Sequence, residues 1–70
     1  MRFADQVREL REKAGLSQQA LADDMGVSVW TVRGYEQGHR GPTAKLLFAL
    51  AKSLGVKVEA FREAICDEER

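Results

Sequence analysis

The sequence contains one cysteine, one histidine and one proline among its 70 residues, and this scarcity narrows the classes of protein it can represent. A single cysteine, Cys66, allows no internal disulfide and no cysteine-based metal cluster, so we interpret it as a small apolar residue near the end of the last helix. His39 has no cysteine or carboxylate neighbours at ligand spacing, and no local signature of a catalytic set or a phosphate-binding glycine loop is present. We therefore predict no enzyme activity and no metal or cofactor site.

Long apolar runs are also missing. The longest run, LLFALA at residues 46–51, is too short to span a membrane, and the N-terminus lacks the apolar segment of an export signal. We therefore predict a cytoplasmic protein without a membrane segment. Because 70 residues suffice for one small core, we predict a single domain over residues 1–70.

The charges are unevenly distributed although their sum is zero. Residues 1–27 hold four Lys or Arg against five Asp or Glu, residues 28–57 hold five against one, and residues 58–70 hold two against five. A basic patch in the middle of the chain suits a surface that meets phosphates, and a solvated face with scattered lysines is the alternative. The basic residues of this middle segment are Arg33, Arg40, Lys45, Lys52 and Lys57.

Apolar spacing predicts an all-α fold with five helices. The first ends at Gly15, the fourth ends at Gly55, and a fifth covers about residues 57–66. Their apolar stripes are Phe3, Val7, Leu10 and Ala14 in the first helix, Leu46, Leu47, Leu50, Ala51 and Leu54 in the fourth, and Val58, Phe61 and Ile65 in the fifth.

Between these helices, about residues 17–37 are typical of two helices joined by a short turn. Ser17 and Ser28 are placed to cap the second and third helices, Thr43 is placed to cap the fourth, and Gly26 can take the positive φ of a sharp turn. The third helix would bury Val32 and Tyr35. Its opposite face would carry Trp30, Arg33, Gly34 and Gln37, at positions i, i+3, i+4 and i+7.

An exposed tryptophan beside a glycine is unusual on a simple surface helix, because glycine weakens a helix by about 1 kcal/mol and tryptophan is unfavourable in water. A dense motif runs through the chain at fixed spacing, formed by Gly15, Leu16, Ser17, Gln18, Leu21, Ala22, Gly26, Ser28, Val32, Tyr35, Glu36, Gly38, Pro42 and the segment LAKSLGV at 50–56. Through this motif the chain resembles the Cro/cI-type, or XRE, helix-turn-helix family of phage repressors and bacterial regulators over about residues 3–62.

The resemblance implies a compact, five-helix lambda-repressor-like domain that binds double-stranded DNA in a sequence-specific manner and regulates transcription as a repressor. It places the third helix in the major groove. Well-known phage members carry polar side chains where Val29, Trp30 and Gly34 stand here, which favours apolar or shape readout. The implied base-reading residues are Ser28, Val29, Trp30, Thr31, Arg33 and Gly34.

Two of these residues have structural alternatives. Trp30 could instead pack over the domain edge or against the loop at 39–42, and Arg33 could form a surface ion pair with a carboxylate. The resemblance also implies phosphate contacts at helix ends and in the loop, for which a hydrated loop is the alternative. The implied phosphate-binding residues are Gln18, Gln37, His39, Arg40 and Lys45.

Arg11 and Glu36 occupy family positions that form a structural ion pair between the first and third helices. Many relatives bind palindromic sites as homodimers, for which Phe61 and Ile65 of the last helix are the predicted interface, with closure of the monomer core as the alternative. A protein-interaction function also stays open, such as an antitoxin that masks a toxin partner through Trp30 and Val29.

Overall fold

The computed structural model describes residues 2–62, which form four α-helices and one short 3₁₀ helix. The α-helices are α1 (Phe3–Lys13), α2 (Gln18–Met25), α3 (Val29–Gln37) and α4 (Ala44–Leu54), and the 3₁₀ helix spans Val58–Phe61. The all-helical architecture is confirmed. The helix-turn-helix segment lies where the sequence predicts it.

Where a fifth α-helix is predicted, Val58–Phe61 form a 3₁₀ helix instead, and residues 63–66 lie outside the described residues. Ala60 donates its backbone N–H to the Lys57 carbonyl at 2.9 Å, an i to i+3 bond that makes a tighter turn than an α-helix. This turn packs on α1, where Gln6 Nε2 donates to the Ala60 carbonyl, and it brings Phe61 into the core. Ile65 and Cys66 lie outside the described residues.

The helix caps explain where α2 and α4 begin. Ser17 Oγ accepts from the Ala20 N–H at 3.0 Å, and Thr43 Oγ1 accepts from the Leu46 N–H at 3.2 Å, as predicted. Ser28 occupies the N-cap position of α3 without a side-chain cap bond; its Oγ lies 3.4 Å from Thr31 Oγ1 instead. Gly26 has φ of 74° and ends α2, so that α3 begins only three residues later.

The core forms where all the described helices meet. α3 packs against both α1 and α2, α2 packs against α4, and the 3₁₀ helix packs against α4. The Phe3 ring makes edge-type contacts with the rings of Tyr35 and Phe61, with 5.7 Å between centroids in each case. The buried core residues are Phe3, Val7, Leu21, Ala22, Val32, Tyr35, Leu50, Ala51, Leu54 and Phe61.

Among the helices of residues 2–62, none combines the length and apolar character that crossing a membrane requires.

Candidate nucleic-acid interface

The outward face of α3 is an exposed surface formed around one aromatic ring. Trp30 is 68% exposed, so the alternative in which it packs over the domain edge or against the loop at 39–42 does not hold. The guanidinium carbon of Arg33 lies 5.0 Å from the centre of the Trp30 ring, within the range of a cation–π interaction. Arg33 forms this contact rather than the ion pair with a carboxylate that was its alternative. The face therefore presents a flat ring covered on one side by a cation.

Glu36 joins α3 to α1 through a forked ion pair. Arg11 donates from Nε to Glu36 Oε2 at 2.7 Å and from Nη2 to Glu36 Oε1 at 3.2 Å. Arg11 Nη1 also donates to the Leu16 carbonyl at 2.8 Å, which fixes the turn before α2. The hydrogen bond from Arg11 to Glu36 raises the pKa of Arg11 against the opposing effect of burial. The structure thus brings together the two residues expected to form the bridge.

The same carboxylate positions a polar side chain of α2. Gln18 Nε2 donates to Glu36 Oε1 at 3.3 Å, and Gln18 Oε1 accepts from Arg33 Nε at 3.2 Å. A continuous chain of hydrogen bonds therefore runs from Arg11 through Glu36 and Gln18 to Arg33. Sequence reasoning missed the bond between Gln18 and Arg33, because these residues are 15 positions apart on different helices and no periodic pattern connects them.

Gly34, one of the implied base-reading residues, is buried beneath a side chain from the loop. A Cβ atom built on Gly34 would lie 2.9 Å from Arg40 Cδ and 3.0 Å from Arg40 Cγ. The loop is fixed there by the backbone N–H groups of His39 and Arg40, which donate to the Gly34 carbonyl at 2.9 and 3.2 Å. Arg40 therefore lies across α3.

The residues expected to contact phosphates are accessible to different degrees. Gln37, His39 and Lys45 are exposed, and Gln18 is half-buried at the start of α2. Arg2 adds a further exposed cation, although it belongs to residues 1–27, in which acidic residues slightly outnumber basic ones. It lines a groove with Tyr35, His39 and Arg40, and its Nη2 would lie 3.7 Å from a Cβ at Gly38.

The remaining residues expected to read bases lie at the start of α3. Ser28 is exposed and Thr31 is half-buried, whereas Val29 packs partly against the core. Val29 therefore presents only part of its side chain to a partner. Within residues 2–62, His, Cys, Asp and Glu side chains form no group of three that could hold a metal ion.

Comparison with known proteins identifies the family. The family model for HTH_3 helix-turn-helix proteins matches residues 7–61, which is most of the chain. The chain belongs to the HTH_3 helix-turn-helix family. Within this family, α2 and α3 are the two helices of the motif and the turn at Gly26 joins them.

Relatives of this helix-turn-helix chain are named as regulators. It is 38% identical over 55 residues to an uncharacterized HTH-type transcriptional regulator of Methanocaldococcus jannaschii, covering 79% of this chain and 83% of the relative. It is 40% identical over 52 residues to a propionyl-CoA carboxylase regulator of Cereibacter sphaeroides, covering 74% of this chain. The match spans only 11% of that longer regulator.

The fold is similar to that of a solved phage repressor domain. The DNA-binding domain of the P22 c2 repressor matches with a TM-score of 0.86 and 26% identity, covering 89% of this chain and 82% of that domain. The P22 c2 repressor in complex with a synthetic operator matches with a TM-score of 0.80 and 27% identity, over 84% of this chain and 89% of that chain.

Phe61 of the helix-turn-helix domain lies in the core and not on its surface. It is fully buried and contacts the Phe3 ring. The alternative that Phe61 closes the monomer core is therefore the one that the structure shows, because a side chain with no exposed area cannot contact a second copy. Ile65, the other predicted interface residue, is outside residues 2–62.

Proposed function

We propose that this chain binds double-stranded DNA in a sequence-specific manner and regulates transcription as a repressor, with α3 in the major groove. The observation that carries this proposal is the exposed face of α3, on which Trp30 and Arg33 are held in contact with each other and with Gln18 of α2. A face held by hydrogen bonds from two other helices suits a rigid partner such as duplex DNA. The operator complex of the similar P22 c2 repressor supports the same interpretation.

Bases would be read at the N-terminal half of α3. The Trp30 ring offers an apolar surface to thymine methyl groups, and the Arg33 guanidinium beside it offers hydrogen-bond donors to base acceptors or a phosphate. Ser28 and Thr31 place hydroxyl groups at the same end of the helix, which can donate or accept at either kind of base pair. This combination favours A·T-rich or mixed sites read partly through methyl contacts.

Phosphate contacts would border this face on two sides. At the start of α2, the first backbone N–H groups have no intrahelical partner and the positive end of the helix dipole favours an anion near Gln18. On the other side, Gln37, His39, Lys45 and Arg2 are exposed near the C-terminal end of α3 and the start of α4. Two copies of the chain on a palindromic operator would repeat these contacts in each half-site.

The proposal is tested by selecting duplexes from a randomised library and then measuring affinity as a function of salt concentration. We expect a palindromic consensus, and we expect affinity for it to fall at least about tenfold between roughly 50 and 200 mM salt, because phosphate neutralisation releases counterions. Trp30→Ala should weaken selected sites by about 1–3 kcal/mol with little effect on random duplexes.

A second candidate function, capture of a protein partner such as a toxin, is favoured by the large exposed area of Trp30. The salt titration separates the two functions. A module that binds only a protein would select no duplex and would show no salt-dependent DNA binding, and that result would overturn the DNA-binding proposal. Arg8→Ala, a change at an exposed position of α1, is the control and should leave the selected consensus unchanged.

A further inference from the structure

Position 34 lies in the middle of the outward face of α3 but contributes no side chain of its own. It follows Trp30 by four residues and precedes Gln37 by three, so it belongs to the same helical row as these exposed residues. The stem of Arg40 fills the space that a side chain at position 34 would occupy. A Cβ atom built on Gly34 would lie 2.9 Å from Arg40 Cδ and 3.4 Å from Arg40 Nε. Arg40 therefore takes the place of a side chain of α3.

The base of the Arg40 side chain is fixed relative to α3. Gly38 ends the helix with φ of 78°, and the next two backbone N–H groups, those of His39 and Arg40, both donate to the Gly34 carbonyl. Because these bonds anchor the loop to the same residue that the Arg40 stem covers, the side chain leaves the loop at a defined point. An arginine held in this way loses less conformational entropy when its guanidinium binds a partner.

The guanidinium groups of Arg33 and Arg40 differ in what already engages them. Arg33 donates to Gln18 and lies over the Trp30 ring, so part of its hydrogen-bonding capacity and one of its faces are used within the protein. Arg40 is exposed, and across residues 2–62 its guanidinium forms neither a hydrogen bond nor an ion pair. Its donors are therefore available to a partner on the α3 side of the domain.

We infer that Arg40, laid over Gly34, reads a guanine in the major groove and is a specificity-determining residue, not a phosphate contact. This inference rests on the proposed function. Arginine donates two parallel hydrogen bonds to the O6 and N7 acceptors of guanine through the planar fork of its guanidinium, whereas lysine reaches the same acceptors without a fork that fixes both bonds. The residue at position 34 is glycine because any side chain there would displace the reader.

Two variants test the inference without removing a charge. Arg40→Lys keeps the positive charge and removes the fork, and Gly34→Ala pushes the Arg40 stem aside while leaving Arg40 itself intact. We expect both variants to lose preference for guanine at the same single base pair of each half-site by about tenfold, with the other positions of the consensus unchanged. Binding to duplexes with every single base-pair change in the wild-type consensus would measure this.

Gly34→Ala also separates loss of reading from loss of folding. Alanine is the better helix former, and the atoms that it would displace belong to the Arg40 side chain and not to the backbone, so the urea midpoint of unfolding should stay close to that of the wild type. Arg8→Lys, the same chemical change at an exposed position of α1, is the matched control and should keep the full guanine preference.

The outcomes distinguish this inference from the proposed function. If the wild type selects a consensus and both Arg40→Lys and Gly34→Ala retain its preference at every position, Arg40 does not read a base and the inference is wrong while the proposed function stands. If the wild type selects no consensus, the proposed function fails and the inference fails with it. Loss of one guanine preference in both variants would establish Arg40 as the reader.

Discussion

The two sides of α3 are held in place by different kinds of interaction. On the inner side, Val32 and Tyr35 are buried, and the Tyr35 ring meets the Phe3 ring of α1. On the outer side, Trp30 is exposed, and the position of its neighbour Arg33 depends on a hydrogen bond to Gln18. The inner side is held by burial of apolar surface, a non-directional interaction. The outer side is held by individual hydrogen bonds, which require defined distances and angles.

Glu36 connects the two sides. Its carboxylate is bound by Arg11 near the core and by Gln18 toward the outer face. Stability of the inner side should therefore be sensitive to lost volume, while the arrangement of the outer side should be sensitive to lost hydrogen-bond partners. Substitutions on either side, or at Glu36 and its partners, test whether the two sides differ in this way.

The largest effect on stability is expected at Phe61, which belongs to the core that the inner side of α3 packs against. Phe61→Ala should reduce the free energy of unfolding by about 3–5 kcal/mol, since it removes a fully buried ring from the core. Urea unfolding followed by circular dichroism would measure the loss. If Phe61→Ala is too unstable to purify, Phe61→Leu should show a smaller loss of the same sign.

The same Phe61 experiment tests whether the residue acts within one copy of the chain. A core role predicts that the difference between wild type and variant is independent of protein concentration. If the difference disappeared at low concentration, Phe61 would instead be stabilising an association between copies, which would contradict its position in the core.

The next largest effect is expected at the connection. Arg11→Ala leaves the Glu36 side chain, only 6% exposed, without its cation, and should reduce the free energy of unfolding by about 3 kcal/mol. Chemical denaturation at neutral pH would measure this. Arg11→Ala should also make the position of the Arg33 side chain less fixed, because the Glu36 carboxylate that orients Gln18 would lose its anchor.

Two controls give the Arg11 result its meaning. Arg8→Ala removes an ion pair to Asp5 in which both side chains are about half exposed, at 49% and 46%, and should change stability by less than about 0.5 kcal/mol. Replacing both Arg11 and Glu36 by Met should be less destabilising than Arg11→Ala, because no unpaired charge stays buried. Equal losses in the free energy of unfolding for Arg8→Ala and Arg11→Ala would show that burial of the ion pair does not change its contribution to stability.

Much of the inner side could be predicted from the sequence, because Gly26, Ser17 and Thr43 mark turns and caps locally and apolar spacing marks buried faces. The 3₁₀ helix could not, since Val58 and Phe61 are three residues apart and this spacing fits an α-helix equally well.

For the outer side, the sequence predicted which residues of α3 face outward but not how their side chains contact one another. The Arg40 stem over Gly34 and the bond between Gln18 and Arg33 join residues from different elements, and neither follows from helical periodicity. The assignment of individual residues to bases and phosphates stays a prediction.

The smallest effect is expected at Tyr35, where a polar atom lies on the apolar side of α3. Its hydroxyl oxygen is buried and has no hydrogen-bond partner within residues 2–62, so Tyr35→Phe should change the free energy of unfolding at neutral pH by less than about 1 kcal/mol. Urea unfolding of the two proteins at neutral pH would show this. A larger loss would mean that the hydroxyl is engaged in solution.

At alkaline pH the free energies of unfolding of the wild type and of Tyr35→Phe should diverge. Burial raises the pKa of Tyr35, although the nearby charge of Arg40 opposes this, so the folded protein holds the phenol proton more tightly than the unfolded chain does. The resulting stability is fully present below the unfolded pKa of about 10 and is lost as pH rises through the higher folded pKa. Tyr35→Phe should lack this part of the alkaline loss. Because Tyr35 is the sole tyrosine, its ultraviolet absorbance titration reports the folded pKa directly, and a midpoint at the ordinary value in the folded protein would contradict the burial argument.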